Sequence, residues 1–177
     1  GMICAEDEIG VGTSHDGIIV LPADVKVGTP AAEYYNITND YCIEVDITPN
    51  RVDGASHIGV ARDLAAYLQQ TRDIHYTLPS VEAFKTDSNT AGISIEVARP
   101  EACPRYAGVC IEGVKVQPSP EWLQTRLKAI GHNPINNVVD ITNYVLFELG
   151  QPLHAFDKDK IKGNKVVIRS FPTGTKF

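Results

Sequence analysis

Residues 138–149 are apolar at helical spacing over most of the circumference, which predicts a buried helix. Gly150 supplies a left-handed end to it, and Pro152 prevents the helix from resuming. Beyond that end, His154 lies between apolar residues, and a polar Asn143 lies at the edge of the apolar helix face. A buried polar group without a partner costs roughly 1–3 kcal/mol. The pattern therefore indicates either a functional site or a well-braced corner.

The rest of the chain alternates short predicted strands with helices. A helix with an apolar stripe is predicted to start at Ser56, and a second to be capped by Ser119 and opened by Pro120. In the second helix, Trp122, Leu123 and Leu127 are predicted to face inward. Strands are predicted at residues 18–21, 41–47, 93–97, 106–116 and 165–168. These elements predict a mixed α/β (α+β) fold.

Composition indicates an ordinary globular protein, with 177 residues, 43% hydrophobic and 21% charged. The formal net charge of −6 argues against a surface that binds duplex DNA by bulk electrostatics, so any RNA contact must be local. The four cysteines show no paired or framework spacing and are read as reduced thiols. No apolar run reaches membrane-spanning length and no signal peptide is recognised, so we expect a cytoplasmic protein.

Two clusters of polar residues have competing interpretations. Arg51 and Asp53 follow a predicted strand and could bind a substrate, but a salt-bridged turn between strand and helix is favoured. His132, His154 and Asp157 have no compact ligand spacing and no cysteine pair beside them. We therefore predict no metal site.

Two segments carry a specific family resemblance. EVDITPNRVDGASHIGVARDLAAY at residues 44–67, and residues 103–157 with NPINNVVDITNYV and GQPLHAFD, closely resemble the β subunit of bacterial phenylalanyl-tRNA synthetase. The opening ICAEDEIGVGTSHDGIIVLP resembles the end of that subunit's OB-like tRNA-binding domain. The parent subunit is several times longer, so the resemblance implies a fragment.

The resemblance also implies a domain order. Residues 1–35 would be the tail of the OB-like domain, residues 36–72 a strand-helix connecting domain, and residues 73–92 a linker. Residues 93–177 would be the truncated N-terminal part of a B3/B4 editing domain with a mixed sheet and helices. The final predicted strand and turn lack a returning strand, which fits a fragment.

By the same resemblance, the parent is an ATP- and Mg²⁺-dependent ligase that attaches phenylalanine to its tRNA. Its partners are tRNA(Phe) and the synthetase α subunit in an α2β2 heterotetramer, with no membrane or DNA. This segment has no Gly-rich phosphate loop, so we expect no cofactor in it and no activity alone.

The B3/B4 domain of this family hydrolyses tyrosine wrongly attached to the tRNA. Asn143 and His154 correspond to its editing-pocket residues and are the candidate catalytic residues; Arg105 and Tyr106 are candidates for substrate binding, with packing as the alternative. A non-catalytic scaffold or RNA-binding module of the same fold is the alternative function. A free-standing editing hydrolase is disfavoured because the TPNR segment belongs to the long subunit.

Overall fold

The computed structural model describes residues 2–37, 39–88 and 92–176. The chain divides into two compact units, Gly1–Cys42 and Ile43–Phe177. Among the described residues, no helix is long and apolar enough to cross a membrane.

The first unit contains little regular structure. A 3₁₀ helix spans Asp7–Ile9 and a short helix, α1, spans Ala31–Tyr34. The strand predicted at residues 18–21 does not form; among the described residues, this run makes one backbone hydrogen bond, from Ile19 N to Cys4 O at 3.0 Å. A strand needs a partner along its whole length, and this run has one bond.

The second unit contains three longer helices. They are α2 (His57–Leu68), α3 (Glu121–Ala129) and α4 (Asn137–Leu149), with 3₁₀ turns at Val52–Gly54, Lys158–Lys160 and Lys162–Asn164. The helix predicted to start at Ser56 forms, and Ser56 is its N-cap, since the hydroxyl accepts from Gly59 N at 3.0 Å. The side chain of Asn136 caps α4, and Gly150 ends it at φ 74°.

Two strands form the sheet of the second unit. β1 (Ser94–Val97) and β2 (Lys165–Ile168) pair in parallel, with Ser94 opposite Lys165 and Val97 opposite Ile168. Parallel neighbours require a long crossover connection, and this one contains α3 and α4. The predicted mixed α/β fold class is therefore confirmed.

The strands predicted at residues 41–47 and 106–116 do not form. Tyr41 is 88% exposed and Ile111 is 75% exposed, so their alternating pattern has no neighbouring strand to pack against. At the end of the second segment, backbone groups bond to Asn137 instead. Its side chain donates to Lys115 O at 2.9 Å and accepts from Gln117 N at 3.2 Å.

The best-buried apolar side chains of the second unit lie on α3. Leu123 and Leu127 are each 1% exposed, as predicted. Trp122 was predicted to face inward but is 55% exposed, although its ring meets the Tyr144 ring edge-on at 5.6 Å. The prediction that α4 is a buried helix is also wrong, because most of its residues are half-buried and Ile141 is 52% exposed. α4 is a half-buried helix that packs on α2 and α3.

Candidate functional site

A fully buried carboxylate joins the start of α3 to the start of α4. Asp140 has no exposed surface, and its two oxygens accept from Ser119 Oγ at 2.5 Å and from Ile135 N at 2.9 Å. The prediction that Ser119 caps α3 is wrong: Pro120 occupies the N-cap, and the Ser119 hydroxyl is used by Asp140. Asp140 was not predicted from the sequence. The feature that could have indicated it is a single acidic residue near the start of a largely apolar helix.

The last turn of α4 is held from two sides. His57 Nδ1, at the start of α2, lies 2.9 Å from Phe147 O, so the tautomer with a proton on Nδ1 donates to it. The His132 ring, just after α3, lies 4.7 Å from the Phe147 ring. Contacts at both ends therefore fix the position of α4.

Asn143 lies in the middle of this fixed helix. It is half-buried and follows Asp140 by three residues and precedes Phe147 by four, so the three share one helix face. In the part of the chain that the structure describes, its amide makes no hydrogen bond. The NH₂ group and the carbonyl oxygen of the Asn143 side chain therefore have no hydrogen-bond partner among the described residues, on a helix whose position is fixed.

His154 lies in the segment after α4, residues 151–157, and is exposed. The apolar residues around it are exposed too, with Leu153 at 45% and Phe156 at 66%. The His154 ring lies 6.4 Å from the Phe156 ring, tilted by 39°. Over residues 2–37, 39–88 and 92–176, no hydrogen bond or ring contact joins His154 to Asn143. Their joint action stays a prediction.

The two candidate substrate-binding residues lie on the surface. Arg105 is exposed, and its carbonyl accepts from Cys103 Sγ at 3.5 Å. Tyr106 is 38% exposed. Among the described residues, no bond joins Arg105 or Tyr106 to Asn143 or His154. The substrate-binding role therefore also stays a prediction. Within those same ranges, no group of three or more His, Cys, Asp or Glu side chains could hold a metal ion.

Arg51 and Asp53 belong to an ion-pair network at the start of α2. Arg51 Nε donates to Asp53 at 3.0 Å, and Arg51 also pairs with Asp63 at 2.5 Å. Arg62 pairs with the other Asp53 oxygen at 2.5 Å. The hydrogen bond from Arg51 lowers the pKa of Asp53 below its usual range, and the two carboxylates raise the pKa of Arg51. The salt bridge favoured from sequence is confirmed at the start of α2, although the strand expected before the turn does not form.

The sequence of this chain is similar to that of one group of known proteins. Residues 102–177 match the B3/4 domain. The whole chain is 60% identical over 178 residues to the phenylalanine–tRNA ligase beta subunit of Bacteroides fragilis, and 59% identical to that of Bacteroides thetaiotaomicron. It is 48% identical over 171 residues, 96% of the chain, to that of Fusobacterium nucleatum. The predicted family resemblance is therefore confirmed.

The chain spans about a fifth of the length of these β subunits: all of it aligns with 22% of the Bacteroides fragilis protein. The B3/4 match includes α3, α4 and β2, and with them all four candidate site residues. The predicted division at residues 35, 72 and 92 stays a prediction.

Proposed function

We propose that this chain is a segment of the β subunit of an enzyme that attaches phenylalanine to its tRNA. We further propose that residues 102–177 form one wall of a site that removes tyrosine from mischarged tRNA. The observation that carries the proposal is the B3/4 match over residues that include Asn143 and His154, within a chain 60% identical to a β subunit. ATP, Mg²⁺, tRNA(Phe) and the α subunit are requirements of the whole enzyme, and the segment alone is expected to be inactive.

The chemistry explains why a second site is useful. Phenylalanine and tyrosine differ by one hydroxyl group, and a pocket shaped for the smaller ring rejects the larger one imperfectly. A separate site that hydrogen-bonds the hydroxyl can select what the first site should have refused. The aminoacyl ester is already reactive, so this site need only orient a water molecule and stabilise charge on the carbonyl oxygen.

Each candidate residue has a role that its surroundings allow. The imidazole of His154 is exposed and can hydrogen-bond the attacking water or the terminal ribose, with general-base action as an addition. The amide of Asn143 can donate to and accept from polar atoms of the substrate. Because α4 is held at both ends, Asn143 is positioned before the substrate arrives.

One observation favours the alternative of a non-catalytic scaffold or RNA-binding module. His154 lies in a segment whose apolar side chains are exposed, and no contact between described residues links it to Asn143. In that case the histidine would serve packing against another part of the protein, and hydrolysis would not depend on it.

Hydrolysis of tyrosyl-tRNA by the full-length β subunit assembled with its α subunit separates the two functions. With His154→Ala we expect kcat for deacylation to fall about 100-fold, while phenylalanylation is unchanged. The matched control is His75→Ala, because His75 is also exposed and its partners, Asp73 at 3.1 Å and Gln69 at 3.5 Å, are exposed as well. Wild-type deacylation by His154→Ala would exclude the catalytic role and support the scaffold.

A further inference from the structure

Charge is distributed very unevenly along this chain. The formal net charge is −6, and residues 1–42 account for all of it, with seven acidic residues and one lysine. Residues 43–177 balance, with fifteen acidic and fifteen basic residues. A polyanion is therefore repelled by the first unit and can bind only where basic residues are concentrated.

Basic residues are concentrated in the segment that follows His154. Residues 158–176 contain six of them against one acidic residue, Asp159. The six are Lys158, Lys160, Lys162, Lys165, Arg169 and Lys176. The segment includes β2, so part of this charge is carried on a hydrogen-bonded strand.

The strand orders part of the charge on one surface. Val166 and Ile168 are half-buried, whereas Lys165 and Val167 are exposed, so β2 turns alternate residues to solvent. Arg169 follows directly and continues the exposed set. Of the two basic residues on this exposed side, Lys165 pairs with Glu96, whereas Arg169 has no carboxylate partner among the described residues.

Three of these cations, Lys162, Arg169 and Lys176, have no carboxylate partner among the residues that the structure describes, and Lys162 and Arg169 are the two nearest to His154 in sequence. Lys158 pairs with Glu112 at 3.0 Å, and Lys165 pairs with Glu96. Lys162, by contrast, makes no ion pair with any residue that the structure describes. The guanidinium of Arg169 lies 4.6 Å above the Phe171 ring, with no carboxylate partner in the same ranges. Stacking on a ring leaves the guanidinium N–H donors at its edge available.

We propose that Lys162 and Arg169, which we call the basic surface, bind tRNA phosphates while the acyl end is edited. The inference rests on the proposed function, since it assigns the RNA contact of that same site. The basic surface begins eight residues after His154, and an arginine on an aromatic ring suits a phosphate better than a lone ammonium does. An acidic protein segment is the competing partner, and the test below separates the two.

The test uses the full-length β subunit assembled with its α subunit and carrying Lys162→Ala with Arg169→Ala. We expect KM for tyrosyl-tRNA deacylation to rise about tenfold while kcat stays within about twofold. The slope of log(kcat/KM) against log salt should shrink by about 1.4, as loss of two contacts to a single strand requires. The matched control is Lys26→Ala with Lys85→Ala, which removes the same charge from exposed positions and should change neither quantity.

Each other outcome overturns the proposal. An unchanged KM and salt slope, or an equal change in the control, would show that the basic surface makes no specific contact with RNA. Loss of a subunit in gel filtration with KM unchanged would show that it binds protein.

A fluorescence titration of the same assembled variants with tRNA(Phe) over a salt series keeps the result independent of catalysis. A smaller slope in the basic-surface variant supports the contact even if His154→Ala leaves hydrolysis intact. An unchanged slope in this titration overturns the contact even if His154→Ala abolishes hydrolysis.

Discussion

The helix pair at residues 119–150 and the segment after it at residues 151–169 follow each other directly but differ in what their side chains do. In the helix pair, Leu127 is 1% exposed and Asp140 is fully buried with both oxygens hydrogen-bonded. In the segment, Phe156 is 66% exposed. Buried side chains hold the helix pair together, whereas residues 151–157 of the segment are exposed to solvent. Mutations of buried residues in the helix pair should therefore mainly change stability, and mutations in the segment mainly change function, with Asn143 on α4 as the exception.

The largest expected difference in stability is between two leucine substitutions, one in the helix pair and one in the segment. Leu127→Ala should lower the free energy of unfolding by about 3 kcal/mol, because it leaves a cavity in the contact between α3 and α4. Leu153→Ala should change it by less than about 0.5 kcal/mol, because Leu153 is 45% exposed. Urea unfolding of the chain measures both, and equal losses would contradict the contrast.

The buried carboxylate should give the next largest effect. Asp140→Asn replaces one acceptor oxygen by an NH₂ group, which disturbs the bonds to Ser119 Oγ and Ile135 N. We expect a loss of about 2 kcal/mol in the free energy of unfolding. Asp159→Asn at an exposed position is the control and should be close to neutral. If Asp140→Asn left the free energy of unfolding unchanged, the junction between α3 and α4 would not depend on this carboxylate.

The cap of α4 should contribute less. Asn136 Oδ1 accepts from Val138 N and Val139 N, both at 3.1 Å, so Asn136→Ala removes the acceptor of two end groups. A loss of about 1 kcal/mol is expected in urea unfolding. Asn133→Ala, at an exposed position outside the helices, should be neutral.

The smallest effect should come from the exposed ion pairs near α2. The Arg51 hydrogen bond lowers the pKa of Asp53 in the folded chain, so its stabilisation is present above the ordinary aspartate pKa of about 4. That stabilisation is lost as pH falls below this value. Asp53→Asn should therefore lower the free energy of unfolding slightly at neutral pH and converge with wild type in acid, which flattens the acid side of the stability profile. A steeper acid side in the variant would contradict the assignment.

Local patterns predicted the elements whose determinants are local. The helix at residues 57–68, the end of α4 at Gly150 and the strand Lys165–Ile168 depend on caps, a left-handed turn and short-range alternation. The strands predicted at residues 41–47 and 106–116 failed because a strand also needs a neighbour, which alternation does not specify. Ser119 failed as a cap for a similar reason, since a distant acid, Asp140, took its hydroxyl.

The pattern of apolar and polar residues singled out Asn143 and His154, and the family motifs supplied the editing role expected of them. Residue spacing placed Asn143 on α4 and His154 beyond it, and both positions are as expected. Whether the two act together depends on the distance between their side chains in the folded protein, which spacing along the sequence does not determine. The basic surface was not singled out from sequence because the overall charge of −6 conceals a local excess of basic residues.

The most direct test of the central contrast measures stability and hydrolysis on one variant, His154→Ala in the full-length subunit assembled with its partner. The account predicts a free energy of unfolding within about 0.5 kcal/mol of wild type and a deacylation rate about 100-fold lower. A clear loss of stability with an unchanged rate would contradict it, because His154 would then belong to the part of the molecule that holds itself together.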